Sequence, residues 1–296
     1  MTTSETVLRV THETTYDYST AVENAQHLAI TRPLDCPWQK VMSCVEKIAP
    51  EPLHIAQRLD SFGNQVLYFS LELPHNQLSM RTETYVALAP RWTSLVPAMT
   101  PAWETVAEAM RFRVGAPYQP ETEFCYASPN IGMGSGFRDY ALRSFTPARP
   151  LAEGAIDLMH RIHADFTYQP TVTAFNTPAL RAFEMRRGVC QDFAQVMIAC
   201  LRAVGLPARY VSGYLRNDPP EGQEKRIGAD ASHAWVSVFC ADHGWIDLDP
   251  TNDMLADLEH VTLATGRDYS DVSLLRGTIL GGGAHEVKVA VTVQAV

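Results

Sequence analysis

The most constraining feature of the sequence is an amphipathic helix that begins at a cysteine. Between positions 190 and 204, apolar side chains recur every three or four residues: Phe193, Ala194, Met197, Ile198 and Leu201. Gly205 stands where a C-terminal cap belongs, and Pro207 follows it. Because a helix N-terminus presents unpaired N–H groups and a partial positive charge, it favours the thiolate form of Cys190. The pattern therefore predicts a helix that carries an activated nucleophile in its first turn.

Helical patterns precede strand patterns in the second half of the chain. Helices are predicted over residues 151–166 and in the segment that opens at Thr177-Pro178 and closes before Gly188. Strand-like runs follow at residues 208–215, 231–239, 245–249, 260–264 and 287–294. Helices followed by an antiparallel sheet predict an α+β core.

The first half of the chain has a different pattern. Residues 8–16, 65–73 and 80–88 are rich in β-branched and aromatic side chains, which predicts a β-sandwich-like domain. The stretch from 117 to 136 is rich in Pro, Ser, Asn and Gly and predicts a loop. We therefore divide the chain into an N-terminal β-domain (1–95), an irregular and helical linker region (96–147) and a core with a C-terminal strand (148–296).

Two of the predicted strands bring a histidine and an aspartate to one face. Residues 231–239 and 245–249 are joined by a short polar turn, and pairing His233 with Asp249 centres that turn on residue 241. Opposite side chains in such a hairpin have Cβ atoms about 4.5–5.5 Å apart. The other face of the hairpin is wholly apolar and should meet the core: Ala234, Val236, Val238, Ile246 and Leu248.

A Cys–His–Asp set suggests acyl transfer. Cys190 would attack a carbonyl carbon, His233 would move the proton and Asp249 would orient the imidazole. Each residue also has an ordinary structural interpretation: a core cysteine, a strand histidine and a turn-forming aspartate before Pro250. On these patterns alone, Asp247 remains a rival for the third role.

Other residues have predicted roles around this set. The backbone N–H of Cys190 and the Tyr168 side chain are candidate donors to an oxyanion, and Trp245 or Trp235 could wall the acyl channel. Asp192 is predicted to be structural, since a carboxylate in the first turn complements the helix dipole. The remaining histidines near these motifs are expected to be surface or core residues: His160, His163, His243 and His260.

Composition limits the cellular compartment and the binding partners that we expect for this protein. The net charge is −9 and no cluster of Lys or Arg occurs, so nucleic-acid and anionic-membrane partners are disfavoured. No apolar run approaches the roughly 20 residues that cross a bilayer, and the N-terminus lacks signal-peptide features, so a cytoplasmic protein is expected. The six cysteines contain no CxxC pair and no zinc spacing, so we expect reduced thiols and no metal or other cofactor.

Three motifs carry a resemblance to a known family. They are Gly188-Val189-Cys190-Gln191-Asp192-Phe193-Ala194, Ser232-His233-Ala234-Trp235-Val236 and Gly244-Trp245-Ile246-Asp247-Leu248-Asp249-Pro250-Thr251. The region from about 150 to 255 resembles the transglutaminase-like superfamily core. The first 90 residues look like the N-terminal β-domain of bacterial transglutaminase-like proteins. The resemblance implies a papain-like core and a triad of Cys190, His233 and Asp249, which decides against Asp247.

The resemblance implies an enzyme that acts on an amide or peptide bond through a thioester. Attack on the thioester by water would make a protease or amidase, and attack by an amine would make a transglutaminase. We favour hydrolysis, because water is always available and the sequence shows no second-substrate feature. The expected partner is a peptide or protein substrate, with an amine as second substrate in the transglutaminase case. The alternative is a peptide-binding module without turnover. No acidic cluster resembles the calcium sites of animal transglutaminases, so calcium dependence is not expected.

Overall fold

The computed structural model describes residues 5–170, 172–173, 177–217 and 232–296. The elements in these ranges are, in chain order, β1 (Thr6–Ala29), β2 (Gln39–Ala49), β3 (His54–Leu59), β4 (Gln65–Leu71), β5 (His75–Leu88), α1 (Trp103–Ala109), α2 (Ser135–Ala141), α3 (Leu151–Asp165), β6 (Thr167–Tyr168), α4 (Ala179–Met185), β7 (Arg187–Gly188), α5 (Cys190–Ala203), β8 (Ala208–Leu215), β9 (Ser232–Cys240), β10 (Gly244–Asp249), β11 (Met254–Leu255), β12 (His260–Gly266), β13 (Leu275–Gly281) and β14 (His285–Ala295). The predicted α+β class is confirmed. None of the described helices is long and apolar enough to cross a membrane.

The long strand β1 organises a seven-stranded antiparallel sheet. Its first half pairs with β5 and β14, and its second half pairs with β4 and β13. The register of the pairing between β1 and β5 shifts between Asp17 and Val22. At this point β1 stops pairing with β14 and begins to pair with β13. Both halves contribute to one apolar cluster, which includes Val22, Phe69 and Leu78. The sheet therefore curls over itself and encloses a core of its own.

The last two strands of the chain complete this first sheet. The strand predicted at residues 287–294 exists as β14, but it pairs with β1 along Leu8–Tyr18. β13, which the sequence analysis did not predict, also pairs with β1. Both strands lie within the predicted region 148–296, a core with a C-terminal strand, and both pair with the N-terminal strand β1. Alternating apolar residues predict a strand, but they do not specify the strand with which it pairs.

The second sheet has the strand order β11-β10-β9-β8-β12, and the cysteine helix α5 packs on it. Twelve of the fourteen residues of α5 are buried. They pack against the predicted apolar face of the hairpin, where Val236, Val238 and Leu248 are fully buried. The helix is thus fixed on the sheet by burial, and its first residue lies beside the start of β9, the middle strand.

The linker region is more ordered than its composition suggests. It contains α1, α2 and two 3₁₀ turns, at Pro97–Met99 and Pro120–Cys125. The buried guanidinium of Arg202, at the end of α5, donates to the carbonyl oxygens of Tyr126 and Arg267 at 3.0 and 2.6 Å. Within this Pro- and Gly-rich segment, the buried cation satisfies the backbone carbonyl group of Tyr126.

A buried ion pair joins the end of the first sheet to the second. Arg91, three residues beyond β5, donates to Asp247 at 2.7 Å, and both side chains are at most 2% exposed. The same guanidinium donates to the carbonyl oxygen of His260 at 2.7 Å, and the backbone N–H of Arg91 donates to Asp257. Arg91 therefore ties the N-terminal sheet to two strands of the core.

We predict that Arg91→Met strongly destabilises the protein. Asp247 would stay buried without its cation, and removing one partner of a buried pair lowers the free energy of unfolding by about 3–5 kcal/mol. Urea denaturation would measure the change. The control is Arg9→Met, because the pair between Arg9 and Glu83 is one-third exposed and should matter little. Equal effects of the two substitutions would contradict this account.

Candidate active site

Cys190 is the first residue of α5, and a tight local arrangement holds it there. The carboxylate of Asp192 accepts the backbone N–H of Val189 at 2.8 Å and the hydroxyl of Thr173 at 2.6 Å. A Cβ atom on Gly188 would lie 2.3 Å from the same carboxylate oxygen, so only glycine fits. Gly188 and Asp192 thus act together to direct the chain into the helix, and burial raises the pKa of Asp192.

His233 lies between the thiol and a carboxylate. Its Nε2–H donates to Asp249 Oδ2 at 2.7 Å, which leaves Nδ1 for the hydrogen bond with Cys190. The imidazole is 8% exposed. Burial opposes the charged form, but the interactions with Asp249 and Cys190 outweigh it and raise the pKa of His233 well above its ordinary value. The arrangement therefore stabilises an imidazolium next to the thiol.

The carboxylate of Asp249 is fully buried and surrounded by donors. Oδ1 accepts the backbone N–H groups of Thr251 and Asn252 at 3.0 and 3.2 Å. Oδ2 accepts the side-chain amide of Asn252 at 2.7 Å in addition to His233. Burial alone would raise the pKa of Asp249, but hydrogen bonds from His233 and His260 hold it far below its usual range. Asp249 is therefore a buried anion that orients the imidazole of His233.

His260 is a second histidine on the same carboxylate, and the sequence analysis assigned it no role. Its Nδ1 accepts the backbone N–H of Asp257 at 3.3 Å, so Nε2 carries the proton and donates to Asp249 Oδ2 at 3.1 Å. Burial lowers the pKa of His260 and keeps it neutral. His260 is buried, as expected of a core histidine. Its hydrogen bond to Asp249 is not part of that expectation. The only signal in the sequence was its place at the start of a strand.

The rival carboxylate Asp247 is engaged elsewhere. One oxygen accepts from Arg91, and the other accepts the hydroxyl of Ser237. The structure therefore brings His233 to Asp249, while Asp247 belongs to the buried ion pair.

The register of the hairpin differs from the predicted one. Gly244 pairs with Cys240 and Leu248 pairs with Val236, so Asp249 lies beside Trp235 and is diagonal to His233. The turn has three residues and is followed by Gly244 with φ of 71°, a geometry that moves the register by one residue on each strand. The predicted shared face is unaffected, because the shift preserves the alternation of side chains.

The two predicted accessory residues lie in different places. Tyr168 pairs with Gly188 across β6 and β7, and its pKa is raised by burial and then by Cys190, so it is close to the thiol. Trp245 packs against Phe124 and Phe239 at the far end of the hairpin. Four residues of strand, about 13 Å, separate it from Asp249. The structure therefore does not place Trp245 at the site, and Trp235 is fully buried rather than facing a channel.

His233, Asp249 and His260 are also the kinds of side chain that hold metal ions, and their donor atoms lie within 4.8 Å of one another. Two ligands of one zinc ion stand about 3.3 Å apart, given bonds near 2.0 Å. The distances from Asp249 Oδ2 to the two imidazoles are 2.7 and 3.1 Å, which are hydrogen-bond distances. The three groups therefore satisfy one another as a hydrogen-bonded chain.

Comparison with known proteins gives the same family for both parts of the chain. Residues 138–250 match the model of the transglutaminase-like superfamily, and residues 8–87 match that of the bacterial transglutaminase-like N-terminal region. Uncharacterized proteins of Mycobacterium bovis and Mycobacterium tuberculosis are 39% identical over 286 residues, which cover 94% of this chain and 89% of theirs.

Two further matches are more distant. A protein-glutamine gamma-glutamyltransferase of Pseudomonas aeruginosa is 31% identical over 121 residues, which are 34% of this chain and 18% of that protein. A solved structure from Cytophaga hutchinsonii, described as a "putative cysteine protease", has a TM-score of 0.76 at 17% identity. The match covers 99% of this chain and 91% of that one, so the two share a fold.

We predict that the hydrogen bond from His260 to Asp249 supports the reactivity of Cys190. Losing a hydrogen bond to a charged group should slow alkylation of Cys190 by iodoacetamide at pH 6 about tenfold or more in His260→Ala. His260→Gln places an amide N–H near Nε2 and should stay within about threefold of wild type. Mass spectrometry of the labelled protein would measure both rates. Equal losses in the two variants, at matched free energies of unfolding, would reduce His260 to a packing residue.

Proposed function

This chain belongs to the transglutaminase-like superfamily, and on that basis we propose that it is a cysteine enzyme that attacks amide bonds through a thioester on Cys190. The observation that supports the proposal most is the position of one imidazole, between the thiol and a buried, fully hydrogen-bonded carboxylate. A structural cysteine needs neither group. Membership of the superfamily and the fold rest on the family and structural matches.

The proposed first step forms the thioester. The Cys190 thiolate attacks the amide carbon, and the carbonyl oxygen becomes an oxyanion. The unpaired N–H groups of the first turn of α5 face this position in our proposal, since they have no partner within the helix. The imidazolium of His233 then donates its proton to the leaving nitrogen, the C–N bond breaks and an amine departs.

The second step releases the acyl group. In hydrolysis, water attacks the thioester carbon while neutral His233 accepts a proton, the C–S bond breaks and a carboxylic acid leaves. Asp249 stays ionised throughout and stabilises the imidazolium each time it forms. Tyr168 remains our candidate for a second oxyanion donor, because its raised pKa keeps the phenol protonated near Cys190.

We favour hydrolysis for this second step, and transamidation is the alternative. The triad serves both reactions, because an amine can replace water at the thioester. The fold match to a protein described as a "putative cysteine protease" is in line with hydrolysis. The partial match to a protein-glutamine gamma-glutamyltransferase is the specific observation in favour of transamidation. We also propose that the enzyme is cytoplasmic and acts on a peptide or protein.

We predict that iodoacetamide alkylates Cys190 at least about tenfold faster than any other thiol near pH 6.5. The imidazolium stabilises the Cys190 thiolate, whereas burial raises the pKa of the Cys36 and Cys125 thiols to about 11. Peptide mapping after timed labelling gives every rate in one experiment, so those two thiols serve as internal controls. Equal rates at the six cysteines would overturn the enzyme proposal.

The same labelling across pH tests Asp249. A raised pKa means that the imidazolium of His233 is present at neutral pH and is lost only as pH rises through that value. In Asp249→Asn, burial still disfavours the charged ring, so its pKa should fall. As pH rises, the ion pair between the Cys190 thiolate and the His233 imidazolium should then be lost from about one to two pH units lower than in the wild-type protein. The matched control is Asp253→Asn, which removes a carboxylate from the same turn without touching His233.

Partition of the acyl-enzyme distinguishes hydrolysis from transamidation. We predict that the thioester formed from a glutamine-containing peptide, detected by its mass, decays at a rate that 10 mM of an alkylamine changes by less than about twofold. The product would be the free acid. An amide with the added amine as the main product would replace hydrolysis with transamidation. Cys190→Ser should give neither the thioester nor product at a comparable rate.

A further inference from the structure

A cavity of about 350 Å³ lies between the first sheet and the core. Strand β1 lines it with side chains from one face, namely His12, Thr14 and Tyr16. Strand β14 lines it with Val287 and Val289, which pair with Tyr16 and Thr14. The core side is formed in part by Ser232 and Tyr269. Both halves of the molecule are therefore needed to form the cavity.

The cavity adjoins the candidate active site. Ser232 is the residue immediately before the base His233. The ring of Tyr269 makes an edge contact with Tyr210 at 6.3 Å, and the pKa of Tyr210 is raised first by burial and then by the nearby Cys190. The cavity therefore borders residues that neighbour His233 and Cys190.

The part of the lining that the structure describes is uncharged. It contains no Asp, Glu, Lys or Arg among the described residues, and burial lowers the pKa of His12 to about 4, so this imidazole is neutral at pH 7. Both nitrogens of His12 are already engaged, by the hydroxyls of Tyr214 and Thr14 at 2.9 and 3.0 Å. The rest of the wall is a mixture of hydroxyl groups with aliphatic side chains such as Leu274 and Val289.

These properties select one kind of occupant. A charged side chain would lose its hydration and find no ionic partner among the described lining residues, which is costly. A volume near 350 Å³ is at the lower end of ligand pockets, which fits one or two side chains rather than a folded segment. Aliphatic and hydroxyl-bearing side chains match both the apolar wall and its hydroxyl groups.

We propose that this cavity is a substrate pocket that binds an uncharged, aliphatic or hydroxyl-bearing residue next to the bond under attack. The N-terminal sheet thereby contributes to substrate selection. The proposal rests on the proposed function, because the pocket positions a peptide at Cys190.

Electrophilic peptides test the pocket without a known substrate. One series carries chloroacetyl at the N-terminus of X-X-amide, and the other carries a C-terminal chloromethyl ketone after acetyl-X-X-Gly, with X as Leu, Thr, Asp or Lys. In at least one series, Leu and Thr peptides should label Cys190 about tenfold faster than Asp and Lys peptides. No preference in either series would overturn the proposal.

A charge placed at the rim should reverse the preference. Val289 is 53% exposed, so Val289→Asp keeps an ionised carboxylate at the mouth of the cavity without burying it. The rate with Lys relative to Leu should rise about tenfold in the series that shows the preference. The control is Gln294→Asp, which adds the same charge to an exposed position on the same strand, away from the cavity. Equal shifts in both variants would overturn the proposal.

Labelling with iodoacetamide distinguishes rejection of the substrate pocket from rejection of the proposed function. Because this reagent has no peptide portion, it should label Cys190 at the wild-type rate in Val289→Asp. Fast labelling without peptide selectivity would reject the pocket and leave the proposed function intact. Slow labelling of Cys190 in the wild-type protein would reject the proposed function itself.

Discussion

The burial of one carboxylate governs the architecture of this site. Asp249 has no exposed surface, and a buried charge is tolerated only when donors replace its hydration. Those donors come from β9 through His233, from β12 through His260 and from the turn after β10 through Asn252. Satisfying one anion therefore fixes three strands relative to one another. The orientation and raised pKa of the His233 imidazole follow from this arrangement.

The N-terminal sheet is tied to the same network. Arg91 neutralises Asp247, the other buried carboxylate of the hairpin, and holds the backbone of His260. The sheet also provides one wall of the cavity beside His233, and the last strands of the chain complete that wall. The two family regions thus share a buried ion pair and line one cavity together.

Local patterns predicted the parts of the site that depend on periodicity. Cys190 was placed at a helix start by the 3.6-residue repeat, and His233 and Asp249 were placed on one face by the two-residue repeat. The exact residue pairs between β9 and β10 were not predicted, because the turn geometry at Gly244 sets their register. Arg91 and His260 were missed because their contacts join distant segments, and no local repeat encodes such a contact. Trp245 lies at the other end of the hairpin from Asp249, since membership of a motif does not specify position along a strand.

The protonation state of His233 decides whether an imidazolium lies beside Cys190 at neutral pH. Nitrogen-15 NMR of the imidazole rings, assigned by comparison with His233→Gln, would report each ring nitrogen as a function of pH. We expect both nitrogens of His233 to carry protons at pH 7, while His260 is neutral with its proton on Nε2. A neutral His233 at pH 7, titrating near 6.5 as in an isolated peptide, would contradict this expectation.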